Sequence, residues 1–70
     1  MTEMEYVTSS NIDQIGYDAE PQELHILFRD GGLYVYAGVP PHVYEGLQNA
    51  ASKGSYLNIY VKDAYPYRRG

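Results

Sequence analysis

The chain has 70 residues, a net charge of −4, nine tyrosines and neither cysteine nor tryptophan. This length suits one small domain with a thin core, and the lack of cysteine excludes a disulfide framework or a zinc knuckle. The hydrophobic content of 44% excludes a disordered chain, and no apolar run is long enough to span a bilayer. We therefore expect a single cytoplasmic domain over residues 1–70, with residues 1–3 and 68–70 frayed.

The first third of the chain predicts short strands over residues 4–9 and around residues 15–17. A turn or cap cluster, Ser9-Ser10-Asn11, separates them. The spacing of Ile12 and Ile15 also fits one helical turn, which is the alternative for this segment. A polar loop containing a proline follows over residues 18–22.

The clearest strand covers residues 23–29, where apolar and polar side chains alternate. Asp30-Gly31-Gly32 predicts a hairpin turn, and the partner strand returns over residues 33–37. A two-residue loop would place Leu33 and Val35 on the same face as the apolar side chains of the first strand. Tyr34 and Tyr36 would then lie on the opposite face. A bulged three-residue loop would weaken this deduction.

A helix is predicted over residues 41–52, beginning at a proline pair and carrying an apolar stripe at Val43, Leu47 and Ala50. Lys53 in the last turn and Gly54 after it are typical of a helix end. Alternation then predicts a final strand over residues 56–62, and Pro66 makes the tail an edge or extended segment.

These elements predict an α+β fold, with a small antiparallel sheet of three to five strands and one helix packed on one face. The side facing the helix is expected to hold Leu24, Ile26, Phe28, Leu33, Val35, Val43, Leu47, Leu57, Ile59 and Val61. The opposite side is expected to hold Tyr34, Tyr36, Tyr56, Asn58 and Tyr60, edged by His25, Arg29 and Lys62.

The basic residues concentrate near the end of the chain, where four of the five lie from residue 53 onward. The overall acidity counts against nucleic acid as a partner, because phosphate binding draws on clustered Lys and Arg. The basic end nevertheless suits an anionic partner. The candidate binding residues are therefore the exposed tyrosine face and these cations: Tyr34, Tyr36, Tyr56, Asn58, Tyr60, Lys53, Lys62, Arg68 and Arg69.

Each candidate also has a structural interpretation. The tyrosines are good strand formers that pack across strands, and the arginines are typical of a solvated terminus. Lys53 at a helix C-terminus would lie beside carbonyl groups, which repel anions. His25 and His42 lack carboxylate partners at ligand spacing, so the sequence predicts no metal site, no cofactor and no enzyme.

The order of residues along the chain resembles the KTSC domain family. The resemblance rests on Ser9-Ser10-x-Ile12-x-x-Ile15-Gly16-Tyr17-Asp18, on Leu24-x-Ile26-x-Phe28-x-x-Gly31, on Tyr34-x-Tyr36-x-x-Val39-Pro40, and on Val43-Tyr44-x-x-Leu47-x-x-Ala50-x-Ser52-Lys53-Gly54-x-Tyr56-x-Asn58. It covers roughly residues 7–67. Members of this family occur at the C-terminus of some lysyl-tRNA synthetases and as free-standing bacterial and phage proteins. The resemblance therefore implies a link to RNA, and it supplies no catalytic residue.

The sequence thus favours a non-catalytic binding module whose partner is RNA or a protein. The alternative is a small protein of the phage or mobile-element type that inhibits or regulates a host complex by protein contact. An acidic protein can imitate nucleic acid, which favours this alternative. Monomer and homodimer both remain open, because exposed tyrosines on a sheet also suit a dimer interface.

Overall fold

A computed structural model describes residues 3–70 of the chain. The strands are β1 (Met4–Tyr6), β2 (Ile12–Asp18), β3 (Glu23–Phe28), β4 (Leu33–Tyr36) and β5 (Tyr67–Arg69), and the helices are α1 (Pro41–Asn49) and α2 (Lys53–Tyr60). Every neighbouring pair of strands is antiparallel, and the sheet order follows the chain order from β1 to β5. The predicted α+β class and antiparallel sheet are confirmed, with two helices where one was predicted.

The hairpin between β3 and β4 has a three-residue loop, and this reverses the predicted faces. The Phe28 N–H donates to the Gly32 carbonyl at 2.9 Å, which leaves residues 29–31 as the loop. Gly31 has a φ of 95°, a backbone conformation that glycine adopts readily and that residues with a Cβ atom rarely adopt. In the resulting register Leu24 lies opposite Tyr36 and Ile26 lies opposite Tyr34. These tyrosines therefore point to the helices rather than away from them, and the predicted tyrosine face of the sheet is wrong.

The segment predicted as the last strand is helix α2. Ser52 caps its N-terminus, with the side-chain oxygen accepting a hydrogen bond from the Ser55 N–H. Leu57 and Val61 are four residues apart, so they point to the same side and are both buried. Ile59 lies on the other side of the helix and is 71% exposed, although the alternation had predicted it in the core.

The core lies between one face of the sheet and the two helices. It contains Ile12, Ile15, Leu24, Ile26, Tyr36, Val39, Val43, Leu47, Leu57 and Val61. Of the residues predicted for this core, Leu33 and Val35 lie on the opposite face of the sheet, because Leu27 and His25 are their partners in β3. We call that opposite side the outer face.

The two ends of the described chain form the two edge strands. β1 pairs only with β2, and β5 pairs only with β4. Residues 67–69 lie in a strand in place of the frayed end that was predicted, and the Gly70 N–H donates to the Leu33 carbonyl at 2.9 Å. At the other end, the prediction of fraying at residues 1 and 2 lies outside the described residues.

Candidate functional site

A groove of about 340 Å³ lies between the β4–β5 edge of the sheet and helix α2, and we call it the aromatic groove. Its sheet side is a cluster of rings in mutual contact. Phe28 meets Tyr34 edge-on with centroids 5.3 Å apart, and Tyr67 stacks on Tyr34 at 5.1 Å. Tyr67 also lies against Tyr36 at 5.6 Å. Tyr67 remains 55% exposed, so its ring is open to a ligand while Tyr34 supports it from below.

The opposite wall of the aromatic groove is formed by Leu57, Asn58 and Lys62. Asn58 and Lys62 are four residues apart, which places them on the same side of the helix and its last turn. The backbone continues to coil after α2, since the Lys62 N–H donates to the Leu57 carbonyl at 2.8 Å. This wall therefore presents an amide and an ammonium group to the rings across the groove.

Arg69 places a second cation beside the aromatic groove. Its guanidinium carbon lies 5.2 Å from the centre of the Tyr34 ring, a cation–π contact. Asp30 also lines the groove, and its carboxylate accepts a hydrogen bond from the Gly32 N–H at 2.9 Å within the hairpin loop. Two cations and one acidic group thus meet here, although the whole chain is acidic.

Arg68 does not join this group. Successive strand residues point to opposite faces, and Arg68 lies on the outer face with two hydrogen bonds to Glu23, at 2.8 and 3.3 Å. These bonds hold the pKa of the Glu23 carboxyl below its ordinary value and raise the pKa of Arg68. The two neighbouring arginines, predicted as one cationic tail, therefore have separate environments.

The structure separates the predicted tyrosines as well. Tyr36 is only 3% exposed, and burial raises the pKa of its phenol, so its ring is part of the core. Tyr56 and Tyr60 contact each other on α2, with centroids 4.6 Å apart, and neither lines the aromatic groove. Their predicted place beside Tyr34 on the sheet is wrong, because the segment is helical rather than extended.

A second cavity, of about 330 Å³, lies at the start of α2, and we call it the polar cavity. Residues 8–11 and 51–54 line it, including three hydroxyl side chains from the first segment. Lys53 belongs to this cavity, and its amine donates to the Ala50 carbonyl at 3.2 Å. Lys53 is the first residue of α2, but Ala50 is the C-cap residue of α1, so the amine lies beside a helix-end carbonyl as the sequence predicted.

The acidic edge of the molecule is β1, at the far side of the sheet from the aromatic groove. The Glu5 carboxylate accepts hydrogen bonds from the Gln48 amide at 2.8 Å and the Tyr44 hydroxyl at 3.3 Å. Burial, together with the nearby Glu5, raises the pKa of Tyr44 to about 12. Tyr17 stacks on Tyr44 at 5.1 Å, which ties the first strands to α1.

The predicted site includes four of the residues that line the aromatic groove, namely Tyr34, Tyr36, Asn58 and Lys62, and omits Asn11, Phe28, Asp30, Gly54, Leu57 and Tyr67. The Tyr65-Pro66-Tyr67 segment signalled an extended aromatic tail, but its pairing with β4 depends on the hairpin register. Asn11 was assigned to a turn, and nothing in the local pattern indicates its approach to α2. Across residues 3–70, no group of three His, Cys, Asp or Glu side chains is placed to hold a metal ion. None of the helices in the same range is long and apolar enough to cross a membrane.

Comparisons with known proteins agree on one family. The KTSC domain model matches residues 8–65. A lysine–tRNA ligase of Nostoc punctiforme is 40% identical over 60 residues, which cover 86% of this chain but only 11% of the ligase. A protein of Stutzerimonas stutzeri is 40% identical over 62 residues, covering 87% of both chains. The crystal structure of a KTSC domain protein from Yersinia pestis superposes with a TM-score of 0.96 at 34% identity, covering 100% of this chain and 99% of that one.

Proposed function

Because this chain belongs to the KTSC domain family, which occurs both within lysine–tRNA ligases and as small separate proteins, we propose that it is a non-catalytic module that binds single-stranded RNA. The aromatic groove is the binding site. The observation that carries this proposal is the meeting of an exposed tyrosine ring, an amide and a lysine in one groove at the β5 edge, with the Arg69 guanidinium beside it.

The rings supply the sequence-tolerant part of the binding. An unpaired base stacks on an aromatic side chain, and such a contact is worth about 1–3 kcal/mol per base. Tyr67 is the platform, because more than half of it is exposed and Tyr34 holds it from the other side. A base inserted here would contact Tyr67 while facing Asn58 across the groove.

The cations supply the electrostatic part. Lys62 and Arg69 lie beside the rings and outnumber the one carboxylate that lines the groove, Asp30, whereas Glu5 lies at the opposite edge of the sheet. The net charge of −4 therefore does not describe the local field at the aromatic groove. Two phosphate contacts to a single strand predict a fall in log affinity of about 1.4 for each tenfold rise in salt.

The relatives support RNA as the partner class. The Nostoc punctiforme relative is named a lysine–tRNA ligase, and this name connects the family to an enzyme that acts on tRNA. The present chain spans 11% of that ligase, so the ligase reaction itself is not part of the proposal. What we carry over from the ligase to this chain is only an affinity for RNA.

Two matched pairs of variants test the proposal by fluorescence polarisation with unstructured RNA at two salt concentrations. We expect Tyr67→Ala to weaken binding roughly 5- to 150-fold, which corresponds to the loss of one stacked base. The control is Tyr6→Ala, since Tyr6 is 77% exposed in β1, far from the groove. We expect Arg69→Ala to reduce the salt slope by about 0.7, with Arg68→Ala as the control on the outer face.

Flat titrations at both salt concentrations would refute RNA binding. Equal losses within each pair would refute the aromatic groove as the site. A stable complex with one host protein, in the absence of affinity for RNA, would instead support the alternative of a protein that regulates a host complex.

A further inference from the structure

The aromatic groove and the polar cavity adjoin each other. Asn11 and Gly54 line both of them, so the two spaces meet at the first turn of α2. Together they form a continuous surface that begins between rings and ends among hydroxyl groups. The proposed function involves only the aromatic half of this surface.

The two halves differ in chemistry. The aromatic groove offers Tyr67 and other rings, with Lys62 at its wall. The polar cavity offers Thr8, Ser9 and Ser10 together with Lys53. Rings suit a base, whereas hydroxyl groups and an ammonium suit a sugar and a phosphate. The aromatic groove therefore matches the base of one nucleotide, and the polar cavity matches the sugar and phosphate of the next nucleotide.

Resting on the proposed function, we infer that the ligand is a strand of at least two nucleotides, with one unpaired base in the aromatic groove and the sugar-phosphate of the neighbouring nucleotide in the polar cavity. A duplex does not fit this arrangement, because its bases are stacked on each other and are not free to enter between Tyr67 and Asn58. A free nucleotide would fill only the first half.

Gly54 and Asn11 form the boundary between the two halves. A side chain there would place its Cβ atom 3.0 Å from the Asn11 Oδ1 atom, which is closer than an ordinary contact. Asn11 already accepts a hydrogen bond from the Ser9 hydroxyl at 3.2 Å. Glycine therefore allows Asn11 to pack directly against the first turn of α2, and these two residues form the low rim shared by the two cavities.

The two lysines make a matched test, because each lines only one of the cavities. Uridine monophosphate and uridine oligomers of two and four nucleotides are titrated into the wild type and into Lys62→Ala and Lys53→Ala, with two-dimensional NMR of the backbone amides as the readout. We expect Lys62→Ala to weaken every ligand. We expect Lys53→Ala to leave the monophosphate unchanged and to weaken both oligomers roughly tenfold, with the salt slope reduced by about 0.7.

The shifts of the Gly54 and Asn11 amides provide a second readout that needs no variant. We expect them to move further with the dinucleotide than with the monophosphate. Oligomer binding that is insensitive to Lys53→Ala, or equal effects of Lys53→Ala on all three ligands, would overturn this inference while leaving the aromatic groove as an RNA site. Absence of binding by every oligomer would overturn the proposed function as well.

Discussion

Arg68 and Arg69 show how strongly one position along a strand changes the role of a side chain. Both are arginines in β5, yet one contacts Glu23 on the outer face and the other contacts Tyr34 beside the aromatic groove. The sequence identified the cations but grouped them as one tail. The separation follows from the alternation of side chains along a strand. That rule applies here because residues 67–69 form β5, which the sequence pattern does not indicate.

We expect the Arg68–Glu23 pair to contribute a pH-dependent part of the stability. The pKa of Glu23 is lowered in the folded state, so the pair stabilises the fold above the ordinary carboxyl pKa. That contribution is lost as the pH falls through the lowered pKa. Urea unfolding of the wild type and of Arg68→Ala should therefore differ at neutral pH and converge in acid.

The double variant Arg68→Ala/Glu23→Gln is the control for this pair. It should be no less stable than Arg68→Ala alone, because the interaction is already absent. A gap between wild type and Arg68→Ala that persists unchanged down to about pH 2 would show that the arginine acts through packing rather than through the carboxylate.

At the scale of elements, α2 is the clearest failure of the sequence pattern. Residues 56–62 alternate between apolar and polar side chains, which is typical of a strand. The same residues also place Leu57 and Val61 at helical spacing, and Ser52 precedes them as a capping residue. The capping bond to Ser55 and the burial of both aliphatic side chains favour the helix, so tertiary packing decides between two patterns that the sequence carries at once.

Two alanine substitutions in residues 56–62 distinguish a helix from a strand in solution. In a strand Leu57 and Ile59 would be equivalent, whereas in α2 they are 3% and 71% exposed. We expect Leu57→Ala to lower the free energy of unfolding by about 2–5 kcal/mol. Ile59→Ala should change it by less than about 0.5 kcal/mol, as is usual for a surface position. Urea denaturation followed by circular dichroism measures both, and equal losses would contradict the helix.

The hairpin between β3 and β4 was predicted in the right place but with the wrong faces. The Asp30-Gly31-Gly32 sequence indicates a turn, yet it allows loops of two or three residues. One additional loop residue exchanges the two sides of a strand. Tyr34 and Tyr36 consequently face the helices, and Leu33 and Val35 lie on the outer face, where Val35 is still only 3% exposed. Local pattern thus predicts that a hairpin exists, whereas its register depends on which side chains the helices bury.

At the scale of the whole molecule, the fold class was predictable and the site was not. Strand patterns, turn signals and one helix are local properties, and they suffice for an antiparallel sheet with helical cover. The aromatic groove brings together residues 11, 28, 34, 58, 62 and 67, which are distant in sequence. Such a meeting depends on strand pairing and helix packing. The sequence therefore supplied Tyr34, Tyr36, Asn58 and Lys62 as candidates, but not the contribution of Asn11, Phe28 and Tyr67.

The simple strand order also separates the two ends of the molecule. The chain enters the sheet at β1 and ends beside β4, next to the aromatic groove. A fusion partner or immobilising tag placed ahead of Met4 should therefore leave RNA capture intact. The same tag joined to Gly70, whose N–H bonds to Leu33, should obstruct it, and surface plasmon resonance with each attachment would show the difference. The meander thus places the two ends of the described chain at opposite edges of the sheet, and only the β5 edge adjoins the aromatic groove.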